Sequence, residues 1–157
     1  MRRIFRAIRR VADEFPDIKV IYPVHMNPLV GHAAESGLGG HPRIRLIPPL
    51  DVAPMHCFLA RSYLVLTDSG GIQEDASALG KPVLVLRDTT ERPEGIEAGT
   101  LRLTGTEEYA VYDDFKLLLN DEPLYAKMSK AKNPYGDGLA SKRIADILVN
   151  ATVTRCT

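Results

Sequence analysis

Apolar residues at Ile4, Phe5, Ile8, Val11, Ala12 and Phe15 recur at steps of three and four, which predicts a helix. Arginines fill its other face, and Pro16 ends it. Residues 18–22 form a short β-rich run that reads as a buried strand. Asn27-Pro28 then supplies an N-cap and a proline at the first helical position. Gly37, Gly39, Gly40 and Pro42 punctuate the end of that helix. Residues 44–47 read as a second strand, stopped by Pro48-Pro49, and Asp51 is placed to cap a helix over about 53–61. Runs at 63–66, 82–86 and 100–103 predict three further strands. Thr106-Glu107-Glu108 opens a helix through 119, a second runs over 123–130, and a last one over about 139–149, with 150–157 as a frayed tail.

Strands that alternate with helices predict an α/β fold: a Rossmann-like, doubly wound parallel sheet with helices on both faces. Such a domain normally opens with a strand that lies mid-sheet. This chain opens with a helix, and every later element comes in its expected order. The expectation is therefore a sheet whose first strand is missing upstream of Met1, leaving a gap or a pair of unprotected edges at its centre.

Composition narrows the function classes. The chain has 157 residues, enough for one domain with a real core. Its 20 basic and 20 acidic residues balance to a formal net charge of zero, so nothing in the charge argues for nucleic acid or an anionic membrane as partner. No run approaches the roughly 18 apolar residues of a spanning helix. The basic N-terminus lacks the continuous apolar segment and small-residue cleavage site of a signal peptide. Cys57 and Cys156 make neither a metal spacing nor a disulfide framework and read as free thiols of a reducing cytoplasm.

Candidate chemistry concentrates in residues 64–93, where an apolar run ends in Thr67-Asp68-Ser69-Gly70-Gly71, a helix-like segment follows, and Gly80-Lys81-Pro82 leads into a second β-branched run. A serine hydroxyl and consecutive glycine amides between a strand and a helix can bind phosphate oxygens; the plain alternative is a tight turn. Glu74 and Asp75 follow on the helix. They can complement its dipole, or Asp75, a turn and a half in, can accept the ribose hydroxyls of a nucleotide whose phosphates sit at the turn. The loop from Arg87 to Glu94 is dense in charge at the end of a strand, where α/β sheets bind ligands, and offers Arg92 or Arg87 to a diphosphate; the alternative is a solvated loop. His25 also follows a strand, as a ligand contact or a histidine satisfied beside a turn. His32, His41 and His56 show no partner at useful spacing. No His/Cys/Asp cluster has metal spacing, and no Ser-His-Asp arrangement is legible.

Taken together, residues 67–74, Gly80-Lys81-Pro82-Val83-Leu84, residues 87–94, Asn133-Pro134-Tyr135-Gly136-Asp137-Gly138 and the Tyr22-Pro23-Val24-His25 and Asn27-Pro28 pairings resemble the non-hydrolysing UDP-N-acetylglucosamine 2-epimerases. The likeness runs from about Arg2 to Val149. It implies residues 1–149 as the UDP-binding C-terminal domain, one half of a glycosyltransferase B-type two-domain architecture, with 150–157 as a tail. It also implies that the domain's first strand and a His-Arg-Arg-Glu-Asn stretch are missing here. The family inverts C2 of the sugar, converting UDP-GlcNAc to UDP-ManNAc by UDP elimination and re-addition, without a cofactor. Its acid/base carboxylates lie in the other domain, so the resemblance transfers no catalytic residue to this chain, which is expected to be inactive alone. What transfers is the grip on UDP: Ser69, Gly70 and Gly71 at the diphosphate, Arg92 at the substrate, Asp75 at the ribose, Met55 beside the uracil, and His25 at a second, regulatory UDP-GlcNAc. Asp75 stands where glutamate is usual, one methylene shorter, and Met55 where an aromatic is common. The family tends to form dimers, which extends the expectation of a homodimer. Two other readings are a non-catalytic UDP-sugar-binding module or gene fragment, and a glycosyltransferase half; the Thr89-Thr90-Glu91-Arg92-Pro93 loop argues against the last.

Overall fold

The computed structural model describes residues 1–154, with the side chains of 1–150. Helix α1 (Arg2–Glu14) buries Phe5, Ala7, Ile8, Val11 and Ala12, the stripe its periodicity specifies. Its outward arginines are not idle: Arg3 pairs with Glu107, and Arg6 and Arg10 pair with Glu108, at the N-terminal end of a later helix over 108–120. Strand β1 (Val20–Pro23) lies two residues later than the sequence reading placed its start. Helix α2 (Pro28–Leu38) begins as expected, with the Asn27 side chain accepting a hydrogen bond from the Leu29 amide at 2.9 Å. Strand β2 (Ile44–Ile47) matches its predicted range. Helix α3 (Val52–Arg61) has Asp51 at its N-cap position, but that side chain makes no capping hydrogen bond, contrary to expectation.

Strands β3 (Val65–Thr67), β4 (Val83–Val85) and β5 (Leu101–Leu103) follow, with helix α4 (Gly70–Ala78) between the first two. Helix α5 (Pro93–Ala98) was not foreseen: the charged run after β4 ends in a short helix with Pro93 at its start and Gly99 closing it at φ 81°. Helices α6 (Glu108–Asn120) and α7 (Glu122–Ser129) follow, the latter capped by Asp121, whose side chain accepts from the Leu124 amide. The last helix, α8 (Ala140–Thr154), runs past residue 149, so the part of the expected frayed tail that is described is helical. Cys156 lies outside the described residues.

The strands form two parallel groups, β1–β2 and β3–β4–β5. Among the described residues β1 pairs only with β2, and β3 only with β4, so no strand pairing joins the two groups. The two groups nonetheless share a core. Leu66 of β3 packs against the cluster that holds Phe5, Ile8, Leu38 and Ile44, together with Val20 and Tyr22 of β1. Burial, and after it the charge of Asp68, raises the pKa of Tyr22.

Both faces of the larger group are covered. Val83 and Val85 point into a cluster with Leu59, Val65, Ala76 and Leu101, while Leu84 between them points into another with Val11, Phe115, Leu118 and Met128. The period-two alternation of a strand thus feeds two separate cores, which is why the run is apolar at every position. No helix of the described residues is long and apolar enough to cross a membrane.

Candidate nucleotide site

Because the strands within each group are parallel, the loops that leave their carboxyl ends lie at one end of that group. His25 follows β1, Met55 lies in the first turn of α3 after β2, Ser69-Gly70-Gly71 joins β3 to α4, and Arg92 closes the loop after β4. The predicted residues are therefore the products of four successive strand-to-helix connections.

The glycine turn is built for close approach. Ser69 occupies the N-cap of α4 in an extended conformation, and its hydroxyl makes no capping bond. Its backbone N–H is turned inward, donating to Thr67 Oγ1 at 3.0 Å. Gly70 and Gly71 form the first turn, whose amides have no partner within the helix. A Cβ on Gly71 would meet nothing within 4 Å. A Cβ on Gly70 would stand 3.5 Å from Nη2 of Arg92. The turn is thus open above Gly71 and roofed by a guanidinium beside Gly70.

That guanidinium is held from two sides. Arg92 Nε donates to Glu74 Oε1 at 2.5 Å, and Nη1 donates to the carbonyl of Glu91 at 3.0 Å. Nη2 is the edge nearest Gly70. The hydrogen bond from Arg92 to Glu74, then the charge of that carboxylate, raises the arginine's pKa and keeps it cationic. The same helix anchors the loop once more: the Thr90 hydroxyl donates to Gln73 Oε1 at 3.0 Å and accepts from the Arg92 backbone N–H at 3.1 Å. Gln73 is 1% exposed, so this pair fixes the loop from within the core. Arg87 pairs with Glu91, at 3.1 Å.

Neither acid of α4 stands in its first turn, so complementing the helix dipole is not their main role. Glu74 holds Arg92. Asp75 faces His56 of α3, with Nε2 3.2 Å from Oδ2. Both acids line an open depression of about 540 Å³ with Ala78, Asn133, Tyr135 and Gly136 to Gly138. Tyr135, like Met55 and Ile72, packs against the apolar cluster of Leu59, Val65 and Val83, and among the described residues its buried hydroxyl has no hydrogen-bond partner. Burial, followed by the nearby charges of Glu94 and Glu74, raises its pKa.

His25 is exposed, and its Nδ1 accepts from the Asn27 amide at 3.1 Å, which leaves the proton of the neutral ring on Nε2, facing outward. Two histidines without a partner at local spacing have one across the fold. His41 lies 3.0 Å from Asp13, and His56 meets Asp75. Separations of 28 and 19 residues are invisible to a local spacing rule. Among the described residues no group of three or more His, Cys, Asp or Glu could hold a metal ion.

Known proteins resemble this chain in sequence and in fold. The sequence model of the UDP-N-acetylglucosamine 2-epimerase family matches residues 1–149. The UDP-N-acetylglucosamine 2-epimerase of Bacillus subtilis (strain 168) is 58% identical over 149 residues, which is 95% of this chain and 39% of that protein. Among solved structures, the S. aureus MnaA–UDP complex superposes with a TM-score of 0.89 at 56% identity, over 92% of this chain and 40% of the other. The Neisseria meningitidis UDP-GlcNAc 2-epimerase bound to UDP-GlcNAc gives 0.91 at 41% identity, over 95% and 40%. The chain therefore spans about two-fifths of the length of these relatives, as one half of their two-domain α/β architecture. On a match that extends over nearly all of its length, the chain belongs to the UDP-N-acetylglucosamine 2-epimerase family.

Proposed function

We propose that this chain is the UDP-holding half of a UDP-N-acetylglucosamine 2-epimerase, which interconverts UDP-GlcNAc and UDP-ManNAc by elimination and re-addition of UDP. The observation that carries this reading is the guanidinium of Arg92, tied down through Nε and Nη1 and presenting Nη2 beside the N-terminus of α4. A diphosphate seated there meets the free amides of the Gly70-Gly71 turn, the Ser69 hydroxyl and a fixed cation at once. Asp75 accepts from the ribose, Met55 packs against the base, and His25 offers an outward N–H to a second nucleotide sugar.

In the reaction, C2 loses a proton and UDP departs from C1 with the electron pair of the C1–O bond, leaving a glycal. Re-addition of UDP and return of the proton to the opposite face give the epimer. The groups proposed here stabilise the departing diphosphate and keep it oriented for return. They include no acid/base pair for C2, so the isolated chain holds UDP without epimerising. Relatives solved with UDP and with UDP-GlcNAc support the ligand class. A homodimer in the cytoplasm, without nucleic-acid partners, completes the proposal.

Amide NMR of the chain titrated with UDP tests the placement. Shifts centred on Ser69, Gly70, Gly71 and Arg92 are expected, and shifts confined elsewhere contradict it. Formation of UDP-ManNAc from UDP-GlcNAc by the purified chain would overturn the inactive-half reading.

A further inference from the structure

Asp75 has a partner that its own helix does not provide. The imidazole of His56, on α3, brings Nε2 to 3.2 Å from Oδ2, and both side chains are about half exposed, so neither is buried for packing alone. The contact spans two helices that leave different strands, and it lies at the rim of the depression that Asp75 lines. Met55, the residue before His56, packs into the cluster formed by Leu59, Val65 and Ala76 and so fixes the turn of α3 that carries the imidazole.

We propose that His56 is a positioning residue that holds the Asp75 carboxylate for the hydroxyls of a bound nucleoside diphosphate's ribose. The inference rests on the nucleotide reading of the site. An aspartate held only by its own short stem rotates freely at the surface. An imidazole across Oδ2 limits that rotation and leaves Oδ1 outside the contact, free to accept from the sugar. At 3.2 Å the ring edge stands in charge-contact range of the carboxylate rather than in an aligned hydrogen bond, and it limits where the carboxylate can turn. Ribose recognition is thus shared between consecutive positions of α3, with Met55 at the base and His56 acting through Asp75.

Calorimetry of the 157-residue chain with UDP and with 2′-deoxy-UDP tests this. The wild-type chain should prefer UDP by roughly tenfold or more, the scale of a hydrogen bond to a charged acceptor. His56→Leu should bring the two affinities close together with little change in melting temperature, His56→Gln should restore part of the preference through its amide donor, and Asp75→Asn should lose it. Adding His56→Leu to Asp75→Asn should change the preference no further. If His56→Leu keeps the wild-type preference, the positioning role is wrong while the UDP site stands. If wild type binds both nucleotides equally, Asp75 does not read the ribose and the inference fails. If wild type binds neither, the inference falls together with the nucleotide reading.

Discussion

Arg92 and Glu74 form a part-buried ion pair, Nε to Oε1 at 2.5 Å, that joins the loop after β4 to the helix after β3. The pair uses only one edge of the guanidinium. A lysine at this position has no planar fork with which to pair Glu74 and a phosphate along separate, fixed edges. Arg92→Lys should therefore weaken UDP binding by roughly tenfold and Arg92→Ala by more, at the scale of a lost charge-assisted hydrogen bond. Competition binding at fixed ionic strength measures both.

Gly70 separates ligand binding from folding. A Cβ there meets Arg92 Nη2 at 3.5 Å, an ordinary contact, and Gly70 has no positive φ, so Gly70→Ala should fold normally. The added methyl would occupy the space through which the proposed phosphate oxygen approaches the helix amides. A loss of roughly tenfold or more in UDP affinity, about 1.4 kcal/mol, is expected with an unchanged thermal midpoint. Calorimetry and thermal unfolding on one preparation give both readouts.

How the chain sets out its elements was largely legible. The helical stripe of α1, the N-cap at Asn27 and the all-apolar run Val83-Leu84-Val85 are local patterns, and each became the element it specifies. The separation of β1–β2 from β3–β4–β5 is a matter of pairing across space, which no local pattern in either strand marks. What escaped reading acts across space. Gln73 looks like a helix-surface glutamine, yet it is buried and bonded to Thr90, 17 residues on. His56 had no neighbour in sequence to mark it. Helix α5 was hidden inside a charge run, although Pro93 and Gly99 bracket it with the usual start and stop residues.

The Gln73–Thr90 pair makes a stability prediction. Thr90→Val removes the hydroxyl that donates to a 1%-exposed amide oxygen. Leaving a buried acceptor unpaired costs about 1–3 kcal/mol. Urea denaturation should show a loss in that range, and the loop that carries Arg92 should exchange its amides faster.

Gly95 and Tyr135 should be coupled. A Cβ on Gly95 would lie 2.2 Å from the Tyr135 hydroxyl oxygen and 2.5 Å from Leu101 Cδ1. Gly95→Ala should destabilise by about 1–3 kcal/mol through overpacking. Tyr135→Phe removes a buried hydroxyl that has no partner and should be neutral or stabilising on its own. The double variant should recover part of the Gly95→Ala loss, which denaturation of all four proteins would show as a non-additive cycle.

The α1–α6 contact predicts a pH dependence. The hydrogen bond from Arg6 lowers the pKa of Glu108 below the ordinary 4.5. A carboxylate with a lowered folded-state pKa contributes stability that is present above its unfolded value and lost as pH falls through the folded one. Stability should therefore decline below about pH 4.5, and Glu108→Gln should flatten that decline. High salt should shrink the difference, because the pair is open to solvent. Thermal midpoints from pH 3 to 7 at low and high salt check the sign in ~1-unit steps.

The central claim is that the α4 N-terminus and Arg92 hold the diphosphate of UDP. Calorimetric titration of the 157-residue chain with UDP, set against uridine, tests it most directly. The account predicts saturable one-to-one binding of UDP that fades with rising salt, with uridine far weaker. Equal binding of uridine and UDP, or no binding of UDP at millimolar concentration, would contradict it.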